Sequence, residues 1–206
     1  MKRALKAVGL RILGGLYEDN STLFLIGPDG RAFWDILQTT PEFQDGMPNP
    51  IDRYSTRVLT AIAHDIGGDA LFPFGGPPYQ PFIKWALASN RCFASPVQFL
   101  VHAELGLFTS FRGVVRLSGQ HPVPPPLPNP CDSCADKPCL SACPVSAVGK
   151  ENYNVAACHV FLDSEAGVSC MARGCAVRRA CPVGQDLRPE GQSAFHMRYF
   201  HKGAPT

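Results

Sequence analysis

The sequence predicts an α+β or α/β domain followed by a small cysteine-rich domain. Three observations carry this. Residues 1–120 alternate helix-spaced apolar residues with short apolar runs bounded by Gly and Pro. Residues 121–130 hold six prolines, too many for a helix or a central strand. Eight of the nine cysteines then fall between Cys131 and Cys181.

In order, residues 4–16 read as a helix that Gly14-Gly15 should end. Ser21 to Ile26 is an apolar run before Gly27-Pro28-Asp29-Gly30, which reads as a buried strand and turn. Ala32 to Gln38 is a brief helix. Pro50 suits a first helical position with Asn49 as N-cap, and Ile51, Tyr54, Val58, Ile62 and Ile66 recur at helical spacing until Gly67-Gly68. Leu71 to Phe74 precedes the breaker-rich loop Gly75-Gly76-Pro77-Pro78, and Phe82 to Ala88 reads as a helix. Val97 to Val101 and Phe108 to Leu117 read as strands. The proline run 121–130 is expected to be a stiff, extended connector, dividing a domain over 1–120 from one over 131–206.

Composition bounds the function. With 45% hydrophobic and 17% charged residues in 206, a packed core is expected rather than disorder. Residues 1–130 carry eleven Lys/Arg against ten Asp/Glu, and the remainder eight against seven. Neither part offers the basic field that a nucleic-acid partner needs. No apolar run approaches a membrane span. Lys6 and Arg11 interrupt any signal-peptide core, so a reducing cytoplasmic location is expected. There is no Gly-x-Gly-x-x-Gly or phosphate-binding Gly-Lys-Ser/Thr loop, and no strong hydrolase constellation.

The cysteines carry the chemistry. One group is Cys131-x2-Cys134-x4-Cys139-x3-Cys143-Pro144; the other is Cys158, then Cys170-x4-Cys175-x5-Cys181-Pro182. Thiolates at such spacing ligate iron, and a Pro directly after the last cysteine marks ferredoxin-type modules with two 4Fe–4S clusters. In such modules the Cys-Pro cysteine serves the other cluster. One cluster would then be held by Cys131, Cys134, Cys139 and Cys181, and the second by Cys143, Cys158, Cys170 and Cys175. The gaps are wider than in the simplest bacterial run, with Lys137-Pro138 lengthening the first group and Cys158 standing twelve positions before Cys170. Three alternatives stay open. A structural zinc takes four thiolates, though usually from paired knuckles without Cys-Pro; disulfides would leave one of nine cysteines over; and the clusters might serve structure or sensing alone. Cys92 stands apart and reads as a small buried hydrophobe.

The proline run with Cys131-x2-Cys134, Cys143-Pro144, the isolated Cys158 and Cys181-Pro182 resembles the cluster domains of epoxyqueuosine reductases and reductive dehalogenases. Residues 101–115, Val-His-Ala-Glu-Leu-Gly-Leu-Phe-Thr-Ser-Phe-Arg-Gly-Val-Val, resemble cobalamin-processing (CblC-type) proteins, as does Asn49-Pro50-Ile51-Asp52. The resemblance implies a nitroreductase-like α/β domain before a ferredoxin-like one. It also implies a cobalamin-linked reductase, in which two clusters pass electrons to a corrinoid or, as the lesser case, a flavin. His102, Gly106, Phe108 and Arg112 are the cofactor-side residues it suggests, with Phe72, Phe74, Tyr79 and Phe111 as further walls. Each aromatic has the competing reading of ordinary core, and His102 that of a hydrogen-bonded structural residue. Glu104 stands where the CblC-type pattern carries an arginine, and the N-terminal half is short for a complete corrinoid pocket, which raises the possibility of a homodimer. The alternative function is a ferredoxin-like carrier whose first domain docks an external electron donor or acceptor protein. The tail Phe195 to His201 is aromatic and basic, suited to covering the clusters or docking a donor.

Overall fold

The computed structural model describes residues 1–151 and 153–202. The fold is mixed α+β with a small antiparallel sheet. Its contacts divide the chain into two compact units: residues 1–92 with 110–127, and residues 93–109 with those from 128 onward. The stretch 93–109 thus groups with the cysteines, although the proline run separates them in sequence.

Up to the proline run the elements are α1 (Lys2–Ala7), β1 (Leu10–Glu18), β2 (Ser21–Pro28), α2 (Gly30–Leu37), α3 (Pro41–Gln44), α4 (Pro50–Asp65), β3 (Asp69–Leu71), α5 (Phe82–Ala88), β4 (Cys92–Ala94), β5 (Leu100–His102) and β6 (Gly113–Ser118). In the first unit the strands lie in the order β1-β2-β6-β3, every neighbouring pair antiparallel. The hairpin from β1 to β2 has only Asp19 and Asn20 between its strands, with Asp19 in the left-handed region (φ 51°). Connections this short return a strand antiparallel and leave no room for the helical crossover of a parallel sheet.

The helix expected over residues 4–16 is a correction. It stops at Ala7, and Gly14-Gly15 lie inside β1. The cause is Gly9, at φ 69°, where a Cβ would come 2.6 Å from the Cα of Phe33. Only glycine lets the chain turn so close to α2. Beyond it, pairing from Leu10↔Pro28 to Glu18↔Ser21 outweighs any residual helix pattern.

The helices expected near 32–38, 50–66 and 82–88 form as α2, α4 and α5. Asn49 precedes α4 in the left-handed region and makes no side-chain cap; Pro50 starts the helix as expected. Tyr54, Val58, Leu59 and Ile62 turn inward, and the Tyr54 hydroxyl donates to the Val8 carbonyl at 2.9 Å. Leu23, Leu25 and Val114 of the sheet pack with Phe82 and Trp85 of α5. Residues 121–127 are fastened to this unit: His121 N donates to Thr22 Oγ1 at 2.9 Å and Leu127 N to Asn90 O at 3.0 Å.

The two strands expected over 97–101 and 108–117 are shorter. Ser95 and Gln98 close a turn, with Gln98 at φ 61°, so β5 starts only at Leu100 and pairs with β4. In the second unit follow α6 (Val155–Asp163), α7 (Val168–Arg173), α8 (Ala176–Arg179) and α9 (Glu190–Lys202). Val97, Val101, Leu107, Val148 and Val177 make one core with Cys139 and Cys181; Leu162 and Met197 make another with Cys170. Among the described residues no helix is long and apolar enough to cross a membrane.

Candidate metal centres

The eight cysteines between Cys131 and Cys181 are reduced thiols and lie in the second unit, in two neighbourhoods. Cys131, Cys134, Cys139 and Cys181 line one recess together with Ser95, Val101 and Leu107. Burial pushes the Cys131 thiol up in pKa, and Cys139, Cys181 and Cys134 push it further. Cys139 is raised likewise, by burial and then by Cys181 and Cys134, while the backbone N–H groups of Cys139 and Leu140 pull it back. Four thiols that would repel one another as thiolates therefore line one recess. That is favourable only when protonated or when a cation shares their charge, so loading a metal must release protons.

Local structure explains the placement. Asn129 accepts from Cys131 N and donates to Asp132, at 3.1 Å each, which fixes the turn into the first cysteine. Cys139 sits in a single 3-10 turn, Pro138–Leu140, entered through Lys137 in the left-handed region. Cys181 arrives from the far end of the domain, its N–H bonded to Arg178 O after α8.

Cys158 faces Cys175, Cys143 and Cys170. Its thiol is raised by burial first, lowered by the Tyr153 hydroxyl, 3.9 Å from Sγ, and raised again by those three neighbours. Cys158 lies in the first turn of α6, whose N-terminus is capped by Asn154 Oδ1 accepting from Ala157 N at 2.9 Å. Cys143 Sγ accepts from Ala147 N at 3.1 Å. Cys170 is carried by α7, and Cys175 caps the start of α8. Phe200 of α9 packs beside Cys158 and Cys170, so the aromatic tail covers this set. Arg178 lines the adjoining cavity with Cys158 and Cys175, donates to the Leu107 carbonyl, and holds its guanidinium 4.7 Å from the Phe99 ring centre. Burial lowers its pKa while Cys175 and Tyr153 raise it, and an arginine so placed keeps its charge to offset that of thiolates.

Cys181 thus lies near Cys131 and Cys139, and Cys143 near Cys158. Both sets share a wall, since Cys143 and Cys175 pack against the core that contains Cys139 and Cys181. Two further features lie beside the first set. Gly106, at φ 57°, approaches so closely that a Cβ there would lie 2.9 Å from Cys181 Sγ and 2.1 Å from the Val183 carbonyl oxygen, so its backbone packs directly against the cysteine. Ser95 Oγ is buried with no hydrogen-bond partner. Among the described residues no group of three or more His, Cys, Asp or Glu gathers to hold a metal ion.

The residues suggested for a cofactor divide between the two units. His102, Gly106 and Phe108 belong to the second unit and Arg112 to the first. His102 is fully buried, and its Nδ1 accepts from Glu104 N at 3.0 Å and Leu105 N at 3.3 Å. So engaged, Nδ1 serves as an acceptor for two backbone N–H groups. His102 shapes the turn, exchanging backbone hydrogen bonds with Gly106 at 3.0 and 2.9 Å, and so presents Gly106 to Cys181. Phe108 lines the cavity beside Cys158 and Cys175, with the Arg188 guanidinium 5.5 Å from its ring centre. In the first unit Arg112 meets Asp52 at 3.4 Å; burial raises the Asp52 carboxyl and Arg112 lowers it. Phe72 stacks on Phe74 at 5.3 Å, Tyr79 is exposed, and Phe111 packs in the core with Phe82.

Spacing gave no access to Ser95, Tyr153 or Arg178, because each reaches its cysteines through the fold. Asn154 had a readable signal as an N-cap residue before an apolar run. Comparison of the chain with protein-family models, curated proteins and solved structures gives no match.

Proposed function

We propose that the chain is an electron-transfer protein holding two 4Fe–4S clusters, one on Cys131, Cys134, Cys139 and Cys181 and one on Cys143, Cys158, Cys170 and Cys175. The observation that carries this reading is that Cys134, Cys139 and Cys181 lie near Cys131 while Cys143, Cys170 and Cys175 lie near Cys158, so each neighbourhood includes the Cys-Pro cysteine of the other sequence group. Bound clusters of this kind take up and release single electrons. The chain's residues supply the rest. The thiols give up protons on loading, the N–H of Ala147 bonds to the Cys143 sulfur, and Phe200 with Met197 screens the second set from water. The shared wall of Cys143 and Cys175 keeps the two sets close enough to act in series. A zinc tetrahedron draws its sulfurs to within about 4 Å of one another, from Zn–S bonds of about 2.3 Å. A four-iron cube holds them further apart and carries inorganic sulfurs that can accept from the unbonded hydroxyl of Ser95, which favours the larger group.

A corrinoid acceptor, making the chain a cobalamin-linked reductase, is the second reading. It is favoured by the meeting of Asp52 with Arg112 in the first unit, which joins the two segments that resemble cobalamin-processing proteins. The carrier reading needs no second chromophore and places a partner protein there.

Anaerobic purification with iron, sulfide and zinc analysis tests the proposal, followed by a visible spectrum with and without cobalamin. About eight irons per chain support it. A cobalamin-dependent shift selects the corrinoid reading, and its absence with intact clusters selects the carrier. Zinc in place of iron sinks both.

A further inference from the structure

We propose that the Ser95 hydroxyl donates a hydrogen bond to a sulfur of the cluster held by Cys131, Cys134, Cys139 and Cys181, and thereby raises that cluster's reduction potential. This rests on the two-cluster reading. Ser95 is 7% exposed, and its Oγ has no partner. A buried hydroxyl left unbonded costs about 1–3 kcal/mol and is uncommon enough in folded proteins to call for an explanation. The residue is not free to turn away. Its N–H donates to Phe99 O at 2.9 Å and its carbonyl accepts from Gln98 N at 3.0 Å, so the turn between β4 and β5 fixes its backbone. It lines the recess into which Cys131, Cys134, Cys139 and Cys181 also face. Apart from the cysteines and Lys137, whose ammonium is only a donor, the other lining residues are Pro, Val and Leu, so sulfur is the side-chain acceptor the recess supplies.

The direction of the effect follows from charge. Reduction adds an electron to the cluster, and a donated O–H bond stabilises the more negative state more than the oxidised one. The backbone N–H groups near Cys139 act in the same sense, but Ser95 is the donor that one substitution can delete with little change of volume. Its separation from Cys131 by 36 positions is why no cysteine pattern includes it.

The test compares wild type, Ser95→Ala and Ser95→Thr after anaerobic iron loading, by iron analysis, potentiometric titration followed by electron paramagnetic resonance, and resonance Raman spectra of the Fe–S bands. Wild type is assayed first: failure to hold about eight irons removes the two-cluster reading and this proposal with it. With both clusters present, S95A is expected to lower the reduction equilibrium of one cluster by up to about tenfold, about 59 mV for one electron. The other cluster keeps its potential, S95T matches wild type, and the Fe–S bands of the affected cluster stiffen. Unchanged potentials and bands in S95A overturn the proposal. If S95A loads only half the iron, S95T decides: full loading with wild-type potentials assigns the role to the hydroxyl, and an equal loss in S95T assigns it to shape and overturns the proposal.

Discussion

Gly106→Ala is a single added methyl with a consequence that can be worked out in advance. The residue sits at φ 57°, where an L side chain costs roughly 1–2 kcal/mol. The new Cβ would lie 2.1 Å from the Val183 carbonyl oxygen and 2.9 Å from Cys181 Sγ, both well inside contact distance. Relieving such overpacking costs typically about 1–3 kcal/mol. The neighbour at 2.1 Å is backbone and cannot swing aside, so the upper half of that range applies. Together the two terms predict a loss of about 3–5 kcal/mol from the second unit, with Cys181 displaced from Cys131, Cys134 and Cys139. Two assays read this separately: urea denaturation of the metal-free protein for stability, and iron content with electron paramagnetic resonance for the first cluster. The expected result is a much lower urea midpoint with the first cluster lost and the second retained. A G106A protein with wild-type midpoint and full iron would refute the geometry around Cys181.

Three further outcomes follow from other contacts. Cys181→Ser should empty the cluster on Cys131, Cys134 and Cys139, halving iron content while the electron paramagnetic resonance signal of the second cluster persists; losing that second signal instead would overturn the pairing. Asn154→Ala removes the cap that accepts from Ala157 N, costing about 1 kcal/mol in urea denaturation, while Asn154→Asp should hold wild-type stability. Glu42→Gln breaks the two-point pair with Arg57, which holds the Glu42 carboxyl below its ordinary pKa of 4.5. Because the folded pKa is lowered, this stabilisation is present above pH 4.5 and is lost as pH falls through the folded value. Arg57 is 56% exposed, so solvent screening limits the pair to about 1 kcal/mol at neutral pH. The gap between wild type and E42Q should close as pH falls below 4.5 and through the lowered folded value, and a gap of constant size would contradict the assignment.

Much of the chain was legible because local rules sufficed. Pro50 and Gly67 bracket α4, apolar spacing marks its buried face, and Ser21 to Ile26 reads as a strand whatever it pairs with. Residues 4–16 misled because helix spacing is cheap to satisfy by chance over one turn, whereas β1 is decided by hydrogen bonds to β2 and by the close approach of Gly9 to Phe33. His102, Gly106 and Phe108 stood out in sequence for a resemblance; the fold places them in the turn beside Cys181 and in the cavity beside Cys158.

By itself the sequence determined the inventory: which thiols exist, their spacing and their two Cys-Pro endings, because these are matters of residue type and position along the chain. Only the tertiary structure decided what surrounds them. Ser95, Arg178, Tyr153 and the close-packed Gly106 come to the cysteines from other turns and helices. Burial and hydrogen bonding act through space, and no spacing rule along the chain records which distant groups that space will contain.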